Sequence, residues 1–223
     1  MTLDRFTVNY RGIAFPKRYL HIGLRNQPFL RLDECAKVGV SAGLPYNPEF
    51  VYAARNECLY DMKSTEYLSN FDFATESKFD MVFVNGLTDF KSSLADAKVA
   101  LKVVKSDGIV VINNSYANGI DANDPSDVWK TILYLRQTEK VRVVSSAYKS
   151  GFTVIAKCDA AAVNNDLMAL RVECSLYKVV KDNIDTWLNV QTSEKINEFL
   201  VSLKHNDLSK MLADNCGINL EVF

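Results

Sequence analysis

Phe79-Asp80-Met81-Val82-Phe83-Val84-Asn85-Gly86-Leu87-Thr88-Asp89-Phe90 is the stretch on which the fold turns. Met81 to Val84 is an unbroken apolar run between Asp80 and Asn85-Gly86. A run so short and so apolar reads as a strand covered on both faces, as in the middle of a parallel sheet. Asn85-Gly86 then stands at the strand's carboxyl end, the edge where open α/β sheets bind ligands. Polar residues there are candidates for chemistry, and the apolar run behind them is scaffold. A buried strand followed by an ordinary Asn-Gly turn accounts for the same letters.

Working outward, a second run of the same kind, Ile109 to Ile112, ends in Asn113-Asn114. Between the two, Leu94, Ala97, Ala100, Leu101 and Val104 recur at helical spacing within Lys91 to Lys105, and Asp107-Gly108 is expected to break that helix. Upstream, Arg18 to Leu24 reads as a first strand closing on Gly23, after a short N-terminal segment with Pro16. Gly23 to Pro28 reads as a tight turn, Phe29 to Cys35 as a short helix or irregular segment, and Ala36 to Val40 as a second strand. Ser41 to Pro48 is a loop by its Gly and Pro content, Cys58 to Met62 a third strand, and Lys63 to Leu68 opens a helix with Ser64 as its cap.

Downstream, a polar loop from Ser115 to Pro125 precedes a helix running from Ser126 or Asp127 through Arg136, with Val128, Ile132 and Leu135 on its apolar face. Val141 to Val144 and Phe152 to Lys157 flank Tyr148 to Gly151, a hairpin signal. Strands alternating with helices mean α/β with a mostly parallel sheet. From about Cys158 the character turns helical, with breaks expected at Asn183, Asn189 and Gln191. Ile196, Phe199, Leu200 and Leu203 form an apolar stripe suited to packing on the sheet. The expected division is an α/β domain over 1–158 and a helical C-terminal extension over 159–223.

At 223 residues the chain is long enough to bury a sizeable core. A net charge of −1 with no basic run excludes the electrostatic footprint of a nucleic-acid binder. No stretch approaches the roughly 18 apolar residues of a membrane span, and the N-terminus lacks the apolar core of a signal peptide. Five widely spaced cysteines and two histidines give neither a C-x-x-C pair nor a zinc pattern. Reduced structural thiols in a cytoplasmic protein are the expectation.

The order of elements resembles class I S-adenosylmethionine-dependent methyltransferases, and in particular the small O-methyltransferase-like proteins of bacterial glycan biosynthesis. The resemblance rests on Tyr19 to Asn26, Gly39-Val40, Phe79 to Leu87, Leu101 to Ile112, Asp127 to Ile132 and Trp187 to Thr192. It implies a Rossmann-like methyltransferase fold, a mostly parallel seven-stranded sheet with an antiparallel last strand, plus the helical extension. It also implies S-adenosylmethionine as cofactor, with Gly23, Arg25, Asn26, Ser41 and Asn85 as the positions that would bind it.

Against that pattern the chain departs in one direction. Active relatives commonly carry an acid in the first strand, where His21 stands here. They carry an acid at the end of the second strand, where Ser41 stands, to hold the adenosyl ribose hydroxyls. The central strand usually ends Asp-Gly-Leu-His, where this chain has Asn85, Gly86, Leu87 and Thr88. The next often ends His-Asp, where Asn113 and Asn114 stand. A carboxylate gripping hydroxyls makes charge-assisted hydrogen bonds that a serine lacks, a loss of about 1.5–3 kcal/mol. Magnesium asks for at least one or two carboxylates, and Asn and Thr are not general bases near neutral pH.

Asn85, Thr88 and Asn114 are therefore the degenerate catalytic positions, with no metal expected. Asp89 is the fallback acid, and Asp121 or Asp124 could serve from the next loop. His21 suits a core histidine, His205 a surface one, and Tyr116 either lines a pocket or covers the sheet edge. Two functions follow. The chain is a methyltransferase-fold protein without catalysis, binding its cofactor weakly or not at all and serving a protein partner. Alternatively, it is an active, metal-independent O-methyltransferase acting on a small molecule or glycan.

Overall fold

The structure, a computed structural model, describes residues 1–24, 30, 32, 35–43, 57–116, 126–158 and 177–203. The strands are β1 (Arg18–Ile22), β2 (Ala36–Val40), β3 (Glu57–Tyr60), β4 (Phe79–Val84), β5 (Val104–Asn113), β6 (Val141–Ser146) and β7 (Phe152–Lys157). They form one sheet in the order β3-β2-β1-β4-β5-β7-β6. Every pairing from β3 to β5 is parallel, and β7 runs antiparallel to both β5 and β6. The two apolar runs pair directly, Met81 with Ile109 through Val84 with Ile112. The expected hairpin stands at one edge, β6 outermost.

The continuous apolar character of β4 has a simple cause: both its faces are covered. Val82 and Val84 join one core cluster with Val110 and Ile112, while Met81 and Phe83 join another with Ile109 and Val111. Each such side chain contributes about 1.5–3 kcal/mol by leaving water. Strict alternation would put Phe79 with Phe83, yet it packs with Val82. The pairing shifts register between Phe79 and Met81, and the bulge turns Phe79 to the opposite face.

On the first face lie α2 (Ser64–Asn70), α3 (Phe90–Val103), α4 (Val128–Thr138) and the C-terminal part of α5 (Tyr177–Trp187), whose buried residues share one cluster. On the second lie α1 (Leu3–Ala14), through Phe6 and Tyr10, and α6 (193–203), through Ile196 and Leu200.

Several local expectations change. The N-terminal segment is a helix, α1, capped where the Thr2 side chain accepts from the Arg5 amide at 3.1 Å. Ser64 is the first residue of α2, not its cap, and its hydroxyl goes to Asp96. Asp107-Gly108 does not break a helix: α3 ends at Val103 and runs directly into β5, which contains both residues. Gly108 is there for close approach, since a Cβ would come within 2.8 Å of the Asp80 carbonyl at the bulge. Asn183 lies inside α5, whereas Asn189, at φ 52°, does end that helical stretch. Asn189 and Gln191 bond to Ser145 and so cover the carboxyl end of β6, the edge strand. The expected irregular segment 29–35 lies largely outside the described residues, as do 159–176 of the extension.

Candidate functional site

The carboxyl edge of the sheet is stitched one residue beyond its strands. The Gly23 amide donates to the Val40 carbonyl at 2.8 Å, the Asn85 amide to Ile22 at 2.8 Å, and the Ser41 amide to Tyr60 at 3.2 Å. Gly23 has φ +82°, and a Cβ on it would land 2.4 Å from the Gly86 Cα. The turns leaving β1 and β4 therefore meet backbone to backbone at the point where the strand order reverses, which only glycine permits. Ser41, immediately after β2, is buried. Arg25 and Asn26 lie outside the described residues, as do Asp121, Asp124 and His205.

Between β4 and β5, Asn113 Nδ2 donates to Asn85 Oδ1 at 2.9 Å. Beside them opens a cleft of about 210 Å³, its mouth included, lined by Val84 to Thr88, Ser93, Ile112 to Asn114 and Val128. Asn114 holds φ 54°, a left-handed conformation that asparagine tolerates. The start of α4 docks on the cleft, with the Asp127 amide donating to the Thr88 carbonyl at 2.8 Å. Behind Ser93, its hydroxyl lies 2.6 Å from that of Thr131, and both are buried. The cleft thus brings Asn85, Thr88 and Asn114 together with Ser93 and Asn113, all neutral polar groups.

Asp89 caps α3: its carboxylate accepts from the Ser92 amide at 2.9 Å, and that bond holds its pKa below the ordinary range. Exposed as it is, it is occupied as a helix cap. His21 is buried between the rings of Tyr19 and Phe83, the latter edge-on at 4.9 Å. Desolvation lowers its pKa to about 3, so it stays neutral. Tyr116 does not line the cleft. It packs on the first-face cluster, its hydroxyl bonded to Asp185, and its amide donates to Ser150 of the hairpin at 3.0 Å.

One carboxyl near this edge escaped the sequence reading. Asp96, two turns into α3, accepts the Ser64 hydroxyl at 2.5 Å through Oδ1. Its Oδ2 sits where a Cβ on Gly86 would be, 2.4 Å from that ideal position. Burial pushes its pKa up, the Ser64 bond opposes this, and nearby Asp89 adds to the rise. No local motif announces it, because the packing of α2 on α3 creates the placement.

Among the described residues no three or more His, Cys, Asp or Glu side chains converge as a metal site would require. No described helix is long and apolar enough to cross a membrane.

No protein-family profile and no curated protein matches the sequence. Solved structures do match. A methyltransferase from Podospora anserina, bound to S-adenosylhomocysteine, is 18% identical over 70% of this chain and 78% of its own, with a TM-score of 0.54. An O-methyltransferase of Streptomyces achromogenes involved in tomaymycin synthesis, bound to S-adenosylmethionine, is 17% identical over 70% and 81%, with a TM-score of 0.52. An O-methyltransferase from Bacillus cereus, bound to S-adenosylhomocysteine, is 12% identical over 71% and 82%, with a TM-score of 0.52. At such identities the likeness is one of fold: the chain has the Rossmann-like methyltransferase fold.

Proposed function

We propose that the chain is an S-adenosylmethionine-binding protein of methyltransferase fold whose catalytic edge no longer carries out proton transfer. It would serve instead as a binding or assembly component in the cytoplasm. The observation that carries this reading is the 2.9 Å bond between Asn113 and Asn85. Two amides satisfy each other at the strand ends where ionisable groups would do the chemistry, and no lining residue of the adjacent cleft is ionisable. Amide oxygens are a poor set for magnesium, and neither an amide nor a threonine takes a proton from a hydroxyl near neutral pH.

The residues present do fit the adenosyl part of the cofactor. Gly23 and Gly86 let the turns leaving β1 and β4 close on each other at the strand-order reversal, the place where this architecture takes nucleotides. Ser41 stands at the end of β2 as a neutral partner for ribose hydroxyls. When bound, the cofactor would supply an electrophilic methyl group. This chain's own residues would supply position, through the two glycine turns, and hydrogen bonds, through Ser41 and Asn85. The helical extension would complete the same unit, since Leu188 and Ile196 are buried in the two core clusters that flank the sheet.

One observation favours the second reading, an active metal-independent O-methyltransferase: Asp96 keeps a carboxyl beside Gly86. Methyl transfer is a displacement that positioning alone accelerates. Calorimetric titration with S-adenosylhomocysteine, beside a methyl-transfer assay on small hydroxylated acceptors and glycans, separates the two. Weak saturable binding without turnover is expected. Turnover would establish the second reading, and absence of binding would remove the cofactor from both.

A further inference from the structure

On the second face of the sheet, α1 and α6 lie side by side and parallel. Asn9 Nδ2 donates to Asn197 Oδ1 at 3.0 Å. One turn earlier, hydrogen bonds to its own amide and to Thr192 hold the Glu194 carboxyl below its ordinary pKa range, helped by the charge of Arg5 on α1. Among the described residues, the large apolar side chains most exposed to water are both on α1, Val8 at 61% and Phe15 at 74%. Gly12 stands between them on the same stripe of the helix. A Cβ there would meet no atom within 4 Å. Packing within the chain therefore does not require this glycine, which a helix interior disfavours. Phe15 ends α1 at φ 46°, a left-handed conformation that glycine or asparagine normally fills. On α6, Val201 lies exposed one turn beyond Asn197, level with Gly12.

We propose that α1 and α6 form the face on which two copies of this chain associate, with Val8, Gly12 and Val201 at its centre. The charges are self-complementary. α1 exposes Arg5 and Arg11 against Asp4, a net positive charge, while α6 exposes Glu194 and Glu198 against Lys195, a net negative one. A two-fold rotation about an axis normal to the face lays α1 of each copy antiparallel on α6 of the other, so opposite signs meet. With the axis between Asn9 and Gly12, Val8 meets Val201 of the second copy and Phe15 reaches the start of its α6. Arg11 then meets the second copy's Glu198, which gives one oxygen to Lys195 at 2.6 Å. Isolated exposed apolar residues are ordinary, but a glycine-notched stripe beside a helix of opposite charge suits an isologous contact. α1 is 12 residues long, about 18 Å, so the face is small beside permanent interfaces and the dimer separates on dilution. The cleft at the carboxyl edge takes Ser93 and Val128 from helices of the other face, so this proposal is independent of the cofactor reading.

Sedimentation equilibrium of the full chain, from micromolar to millimolar concentration, tests this. The wild type should show a reversible monomer–dimer equilibrium. Val8→Glu should weaken it by on the order of tenfold or more, the loss that a central anchor carries. Phe15→Asn, which suits the left-handed backbone, should weaken the dimer while leaving the thermal stability of the monomer unchanged or raised. Glu198→Arg should also weaken association by setting like charges against each other. The double variant Arg11→Glu with Glu198→Arg should restore it, because the pairs cross the axis with their signs exchanged. A wild type that stays monomeric at every concentration would overturn the proposal, whether another protein or another segment of the chain covers the face. A dimer indifferent to Val8→Glu would place the contact elsewhere and overturn it too. Failure of the charge exchange to restore what Glu198→Arg loses would overturn the two-fold arrangement.

Discussion

Asn113 and Asn85 close the gap between the ends of β5 and β4 with a single amide–amide hydrogen bond of 2.9 Å. It exists because the two strands pair in parallel with Val84 opposite Ile112, so the next residue of each emerges side by side at the carboxyl edge. The consequence is mutual. Each amide answers part of the other's hydrogen-bonding demand, and removing one takes this bond from its half-buried partner.

Asn85→Leu or Asn113→Leu alone should each cost about 0.5–1.5 kcal/mol, the net worth of one hydrogen bond, whereas the double variant should cost less than the sum. Urea unfolding of the four proteins in a double-mutant cycle measures the coupling. Strict additivity would mean that the two amides do not depend on each other.

Asp80 secures the opposite end of the sheet. Its Oδ2 accepts the Lys17 and Arg18 amides at 2.9 and 2.8 Å, and its Oδ1 accepts Lys105 Nζ at 2.5 Å. Burial pushes its pKa up, but these bonds outweigh it and hold the carboxyl below the usual range. A carboxylate with a depressed folded value contributes stability that is present above its unfolded pKa and lost as pH falls through the folded one. Asp80→Asn should therefore destabilise by about 2 kcal/mol at pH 7. The gap to the wild type should narrow below roughly pH 4, as seen by urea titration at both pH values. An equal gap at pH 7 and pH 3 would contradict this account.

His21 gives the opposite lesson in sign. The folded protein holds it neutral down to about pH 3, whereas an unfolded chain takes up a proton near pH 6.5. Folding is therefore opposed increasingly as pH drops from about 6.5 towards 3, by up to about 1.4 kcal/mol per pH unit. Among the described residues, the two rings packed on it, Tyr19 and Phe83, carry no charge in that range. His21→Leu should remove one proton's worth of slope from the stability curve between pH 6 and 4. An unchanged slope would show that the imidazole is protonated in the folded state.

What the letters reveal and what they hide have distinct physical causes. β4 and the Ile109–Ile112 run of β5 are legible because doubly covered strands need unbroken apolar runs. The α1 helix was missed: the N-terminus reads only as a short segment before Pro16, although Leu3, Phe6, Tyr10 and Ile13 recur at helical spacing behind Thr2, a capping residue. Gly108 misleads because a glycine needed for close approach looks the same as one that ends a helix. Asp96 is invisible in sequence. Its place over Gly86 depends on how α2 packs on α3, and nothing local encodes that. The contact of Asn85 with Asn113 follows only once the strand register is known.

Ser41 carries the last expectation. It follows β2 directly and is buried, yet Ala42 and Gly43 beyond it are exposed, so a slightly longer side chain can reach water. Its amide is committed to the Tyr60 carbonyl, and the Gly43 amide to Asp61 at 2.7 Å, so the turn's backbone is fixed whatever stands at 41. A carboxylate there would offer two acceptors to the vicinal hydroxyls of a ribose, where serine offers one neutral oxygen. Ser41→Asp should then tighten S-adenosylhomocysteine binding by on the order of tenfold. The gain should shrink at acid pH as the new carboxyl protonates. Titration calorimetry of wild type and variant, with thermal shifts to verify folding, measures it. Tight wild-type binding that the acid fails to improve would mean that the chain holds the ribose by other groups.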